Sequence, residues 1–206
     1  NFGLKKIKYN YFCFFDPDDF MQKNFIYNRL KIFKRNLDQK IIGVYSNVKF
    51  LKNNKYNKIK YKKKLSNFKQ IDTVGYPNGV CGALQSYIFF KPLIPKFLKL
   101  DEKIIINEDF DFIIRLFKNN FNTYGVDKFD IIINMHEDSL TRSRKNIKLV
   151  YINQKKFINK AIKNKYFTTN EIGKRQRYIE LLAARSYLKQ LYIFKFFKHA
   201  VKSLFY

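Results

Sequence analysis

Tyr11-Phe12-Cys13-Phe14-Phe15-Asp16-Pro17-Asp18-Asp19 is an apolar run that ends abruptly in three carboxylates. Aromatic and small apolar residues in unbroken succession read as a fully buried strand, and Pro17 keeps Asp16 out of helical geometry, so the acids are expected at the strand's C-terminal end. Open α/β sheets bind their ligands at that edge. Asp16 and Asp18 lie two apart, project to the same side of an extended chain, and offer hard oxygen ligands to a divalent cation. The same letters also fit an Asp-rich turn that caps a helix starting near Phe20. A second acidic cluster, reached below, tips the balance toward the ligand site.

Working outward, Phe20 to Arg35 places Phe25, Ile26, Leu30, Ile32 and Phe33 at helical spacing, and Ile41 to Val48 reads as a second strand. A helix between strands is a βαβ-type pattern and argues for an α/β sheet. Before the aromatic run, Asn1 to Ile7 reads as the tail of a helix, and without an initiator Met the start reads as cut. Lys49 to Lys69 is rich in Lys, Asn and Tyr, a solvated loop or ragged hairpin, and Gly75, Pro77, Gly79 and Gly82 form a turn that lets backbone approach a ligand. Ala83 to Phe90 is strand-like, and Pro92 and Pro95 open a short helix that ends near Leu98. Asn107 is expected to cap a helix with Phe110, Ile113, Ile114 and Phe117 on its apolar face, which puts Glu108, Asp109 and Asp111 in the first turn. Acids there also suit the helix dipole. Asn122–Val126 and Lys128–Asn134 read as two further strands, and 146–206 as helical.

The chain has 206 residues, 42 Lys and Arg against 16 Asp and Glu, and a formal net charge of +26. Such a charge ordinarily points to an anionic partner, but the excess is mostly lysine and accompanies heavy use of Asn, Ile, Phe and Tyr, a bias that an AT-rich coding sequence produces whatever the function. The positions of the rare acids are therefore more telling than the total. Cys13 and Cys81 sit in apolar or Gly-rich surroundings and suit reduced, buried thiols in the cytoplasm. No apolar run reaches the length of a membrane span.

Taken in order, Asn1-x-Gly3-Leu4, the aromatic strand, Asp16-Pro17-Asp18-Asp19, a strand ending in Tyr45-Ser46, the Gly-rich turn, Asn107-Glu108-Asp109-Phe110-Asp111 with Arg115-Leu116, and His136-Glu137-Asp138-Ser139-Leu140-Thr141 resemble the family 2 glycosyltransferases. The resemblance covers roughly 1–144 and implies a GT-A-like α/β fold, a Rossmann-like mixed sheet flanked by helices, followed by a basic, aromatic-rich helical tail over 145–206. It further implies that Asp16 and Asp18 hold Mn2+ or Mg2+ on the diphosphate of a nucleotide-sugar donor, with Asp19 and His136 beside them. By the same resemblance Asp109 is the catalytic base and Glu108 its neighbour. Ser139, Arg142 and Arg144 are weaker candidates for diphosphate contact. The family's first strands normally precede the position of Asn1, so the chain is expected to be the C-terminal part of a catalytic domain. The Q-x-x-R-W signature of processive members is absent, which implies transfer of a single sugar, with UDP-sugar as donor and a glycan or lipid-linked acceptor of surface polysaccharide synthesis.

Two other readings compete. A basic module for nucleic acid or membrane accounts for the charge but leaves both acidic clusters without a purpose, and no nucleic-acid motif is present, so nucleic acid is not expected as a partner. An inactive remnant of a glycosyltransferase is the other. The tail mixes lysines with aromatics, and over Tyr187–Tyr206 a broad apolar face edged by lysine has the composition of an interfacial anchor. The expected location is cytoplasmic, peripheral at the inner face of the plasma membrane. Packing of those aromatics back onto the catalytic domain is the alternative.

Overall fold

Ile41–Val48 is buried at every position and forms the heart of β3 (Ile41–Lys52), the strand on which the sheet is built. A strand buried on both faces needs a layer on each side. The computed structural model supplies them, describing residues 1–59, 83–96, 98–118, 121–136 and 146–206. The backbone separates into two compact units, Asn1–Asp101 with Asp109–His136, and Glu102–Glu108 with Glu137–Tyr206.

In the first unit α1 (Phe2–Lys6) leads to β1 (Tyr11–Phe12), β2 (Phe20–Met21), α2 (Phe25–Arg35), β3, β4 (Lys55–Ile59), β5 (Ile88–Phe90), α3 (Glu108–Lys118, all but its first residue) and β6 (Asn122–Asn134). The described strands make a mixed six-stranded sheet in the order β1-β5-β3-β6-β2, with β4 paired to β3. β6 runs parallel to β3 along one edge, and β5 and β4 lie antiparallel to it on the other. One face packs Ile41, Val44, Val48, Ile88 and Ile131 against Phe25 and Phe33 of α2. The opposite face packs Ile42, Tyr45, Tyr87 and Phe89 against Phe112, Ile113 and Leu116 of α3. Gly43 is required by the second layer, because a Cβ there would lie 3.0 Å from Tyr87 Cδ1 and 3.2 Å from Phe89.

Several sequence expectations are corrected. Tyr11–Phe15 is not a buried strand: only Tyr11 and Phe12 pair, with β5, and Tyr11, Cys13 and Phe15 are exposed while Phe12 and Phe14 pack inward. Cys13 is thus an exposed free thiol, not a buried one. The acidic turn does not cap a helix at Phe20, since Phe20 and Met21 pair with Ile132 and Ile131 of β6 and α2 begins only at Phe25. The strands expected at Asn122–Val126 and Lys128–Asn134 are one strand, whose register against β3 jumps from Ser46↔Val126 to Val48↔Ile131. The extra residues bulge, and the bulge turns Asp130 into the core. The lysine-rich segment begins as a hairpin, β3 to β4 through Asn53-Asn54, both at positive φ (47° and 59°) as a two-residue primed turn demands. Of the strand expected over Ala83–Phe90 only Ile88–Phe90 forms, after a 3-10 turn at Leu84–Ser86, and a second 3-10 turn at Lys91–Leu93 stands where the proline-started helix was expected. The remaining lysine-rich residues, Cys81 and the turn containing Gly75, Pro77, Gly79 and Gly82 lie outside the described residues.

The second unit's described residues form α4 (Ile147–Lys163), α5 (Thr169–Leu188) and α6 (Ile193–Leu204). Thr168 starts α5 with a reciprocal capping box, its hydroxyl accepting from the Glu171 N–H while Glu171 accepts from the Thr168 N–H. The segment Glu102–Glu108 joins this unit: Ile105 N–H donates to Asn153 Oδ1 at 3.2 Å, and Asn107 Nδ2 donates to Gln154 Oε1 at 2.8 Å. Asn107 stands at φ 71°, outside the extended region of an ordinary N-cap, and its amide serves α4. Among the described residues no helix is long and apolar enough to cross a membrane.

Candidate functional site

Asp16-Pro17-Asp18-Asp19 folds as a tight turn, closed by the Asp19 N–H donating to the Asp16 carbonyl at 3.2 Å. The turn replaces the extended geometry expected from the spacing, so each carboxylate meets a different neighbour. Asp16 accepts from Gln85 Nε2 at 2.7 Å. Asp18 lies 2.9 Å from His136 Nε2, and since an ionised carboxylate only accepts, Nε2 carries the hydrogen of that bond. Asp19 turns inward and takes the Asn134 N–H at 2.9 Å. These partners come from the end of β6 and from the 3-10 turn before β5, so the pairing of β2 with β6 is what carries the acidic turn to His136.

Asp19 is buried, and its Oδ2 has no hydrogen-bond partner among the described residues. Burial lifts its pKa to about 6, against the Asn134 hydrogen bond, with the charges of Asp16 and Asp18 adding to the rise. Asp109, half-buried in the first turn of α3, is also raised: burial dominates, the Phe110 N–H that it accepts at 2.6 Å pulls the other way, and the charge of Asp16 pushes it further up. Asp16 and Asp109 belong to the same unit, and the negative charge of Asp16 is the smallest of the influences on Asp109. A carboxylate of raised pKa is a stronger base than one in water.

The remaining expected residues fall elsewhere. Glu108 belongs to the second unit. Asp111 is fully buried and bonded to Arg115 Nε at 2.8 Å, a pair one helical turn apart that stabilises α3. Ser139, Arg142 and Arg144 lie outside the described residues.

Among the described residues no three acidic, His or Cys side chains converge as a metal cage. The donors that are present, two exposed carboxylates on one turn and an oxygen of buried Asp19 that has no partner among the described residues, are of the chemical type that suits a hard cation. Of the expected residues, Asp16 and Asp18 are the two that could offer oxygens to one. A surface cavity of about 510 Å³ is lined by residues that include Gln22, Lys23, Asn28 and Asp130, and by none of Asp16, Asp18, Asp19 and Asp109.

The reading of acidic clusters missed Gln85, whose only signal is a polar residue inside an apolar run. It also missed Arg29, which shares one helical stripe with Phe25 and Phe33, a basic residue where an apolar one is due. No protein-family model matches the chain, and the search of curated proteins found no match.

Proposed function

We propose that the first unit is a glycosyl-transfer site on a GT-A-type sheet, moving one sugar with inversion from a nucleotide-sugar donor, a UDP-sugar, to a glycan or lipid-linked acceptor. What supports this is the presence in one unit of two carboxylate groups suited to separate tasks: the Asp16–Asp19 turn, braced by His136 and Gln85, and Asp109, whose carboxyl pKa burial raises. The acceptor hydroxyl oxygen attacks the anomeric carbon as its proton passes to Asp109, and the bond from that carbon to the diphosphate breaks with its electron pair leaving on the diphosphate. A divalent cation, Mn2+ or Mg2+, on Asp16 and Asp18 supplies neutralisation of the charge that grows on the leaving group. His136 fixes the orientation of Asp18, and Gln85 that of Asp16.

Calorimetric titration with UDP, in the presence and absence of Mn2+, tests the reading. Metal-dependent binding that Asp16→Asn with Asp18→Asn removes is the expected result, and metal-independent binding or none overturns it. Asp109→Asn is expected to abolish transfer and leave UDP affinity nearly unchanged, because losing a base affects the chemical step and not ground-state binding.

A further inference from the structure

α6 is amphipathic in the reverse sense to an ordinary surface helix. Its polar residues His199 and Ser203 are buried, with Phe196 and Ala200 half-buried beside them, while Phe194, Phe197, Val201, Leu204 and Phe205 are exposed. At about 100° per residue these five fall on one arc of the helix and its C-terminal cap. Phe194 is 93% exposed and Leu204 75%, so the stripe is bare along its whole length. Lys195, Lys198 and Lys202 fall on the adjoining arc and are exposed, and α6 contains no acid. The orientation is held from within: His199 Nδ1 lies 2.6 Å from the buried carboxylate of Glu180 on α5, and its ring stacks on Tyr187 at 5.3 Å. Just before the helix, Leu191 and Tyr192 extend the exposed apolar surface. The broad apolar face expected over Tyr187–Tyr206 resolves into this narrower stripe because the helix begins only at Ile193.

We propose that α6 is an in-plane membrane anchor that docks on an anionic lipid surface. The Phe, Val and Leu stripe enters the acyl boundary and the lysine arc meets the headgroup phosphates, the division of labour that an interfacial helix requires. Charge complementarity selects this occupant: a lysine-edged apolar stripe without a compensating acid on the helix matches an anionic bilayer. Twelve residues of helix reach about 18 Å, too short to span and sufficient to lie flat.

A net charge of +26 favours adhesion to any polyanion, so the first variant leaves the charge unchanged. The full chain is co-sedimented at physiological ionic strength with phosphatidylglycerol–phosphatidylcholine vesicles and with phosphatidylcholine alone. F194S/F197S, which changes two exposed side chains and no charge, is expected to weaken binding to the anionic vesicles about tenfold or more with an unaltered thermal melt. K195E/K198E/K202E is expected to weaken binding to anionic vesicles and to leave the neutral ones unaffected. Hydrogen exchange on the unaltered protein is expected to slow within 193–204 when anionic vesicles are added. Unchanged binding of F194S/F197S, or no slowing in that segment, overturns the proposal. Sedimentation velocity without lipid completes it: a concentration-dependent dimer that F194S/F197S abolishes, with no vesicle binding, identifies the stripe as a contact between copies and also overturns it.

Discussion

Each unit buries a charge, and the two do it in opposite ways. In the first, Arg29 is fully buried and all its donor nitrogens are used: Nε bonds the Ser86 carbonyl, Nη1 the Phe25 carbonyl and Asp130, and Nη2 Ser46 Oγ and Asp130, at 2.6 to 3.0 Å. Phe25 covers the guanidinium face at 3.6 Å. In the second, the buried charge is a carboxylate: Glu180 accepts from Tyr151 Oη at 2.9 Å, Lys155 Nζ at 2.7 Å and His199 Nδ1 at 2.6 Å. Arg29 thus gathers segments far apart in sequence with a rigid fork that meets three neutral oxygens as well as the Asp130 carboxylate, whereas Glu180 gathers an ammonium, a phenol and an imidazole from the helices either side of α5. The difference follows from the chemistry of the two groups: a guanidinium presents donors in fixed directions and needs an acceptor placed at each, whereas the Glu180 carboxylate accepts from flexible side chains of α4 and α6.

The largest effect is expected from Arg29→Ala, which leaves Asp130 buried without its partner and should remove about 3–5 kcal/mol in urea unfolding. Arg29→Met with Asp130→Leu should recover most of that loss, because an apolar pair restores packing without a stranded charge. If the double variant stays as unstable as the single, the network matters for the bulge in β6 and not for charge balance.

Glu180→Gln should be milder, about 2–3 kcal/mol, since Lys155 is partly exposed and turns to water. Here pH sharpens the contrast. Burial acts to raise Glu180, but the hydrogen bonds from His199, Lys155 and Tyr151 outweigh it and leave its pKa below 4.5. The unfolded carboxyl therefore takes up a proton first, so the stability from this site is present above pH 4.5 and is lost as pH falls through the lower folded value. Thermal melts from pH 7 to pH 3 should show that decline flattened in Glu180→Gln, and an unaltered slope would remove Glu180 from the acid limb.

Away from both charges, Gly43→Ala should cost about 1–3 kcal/mol by driving a methyl into Tyr87 and Phe89. Thr168→Ala should cost about 1 kcal/mol by opening the α5 capping box, measured by thermal unfolding. If Gly43→Ala proves the milder of the two, the aromatic layer of the first unit is softer than its close contacts imply.

What was legible in the sequence followed from local pattern. Ile41–Val48 could only be a buried strand, and the tail's spacing made helices. The aromatic run at Tyr11 misled because apolar letters do not distinguish a central strand from a short edge strand whose alternate rings lie open. The start of α2 was read too early because Phe20 and Met21 pair with a strand more than a hundred residues later, which no local signal carries. The acids chosen for the site were those grouped in sequence. That criterion passed over Asp130 and Glu180, whose partners become neighbours only through folding. It did reach Asp16 and Asp18, and the resemblance added His136, which lies 2.9 Å from Asp18 where β2 pairs with β6.

That dependence on β6 also has a temporal side. On the ribosome, β3 emerges with an apolar edge that β5 and β4 do not cover, and its parallel partner begins only at Asn122, paired with Ile41. At the usual elongation rate of about 5–20 residues per second the edge waits roughly 4–16 s. During that interval the nascent sheet is open along its longest seam, with the backbone groups of that edge of β3 still unpaired.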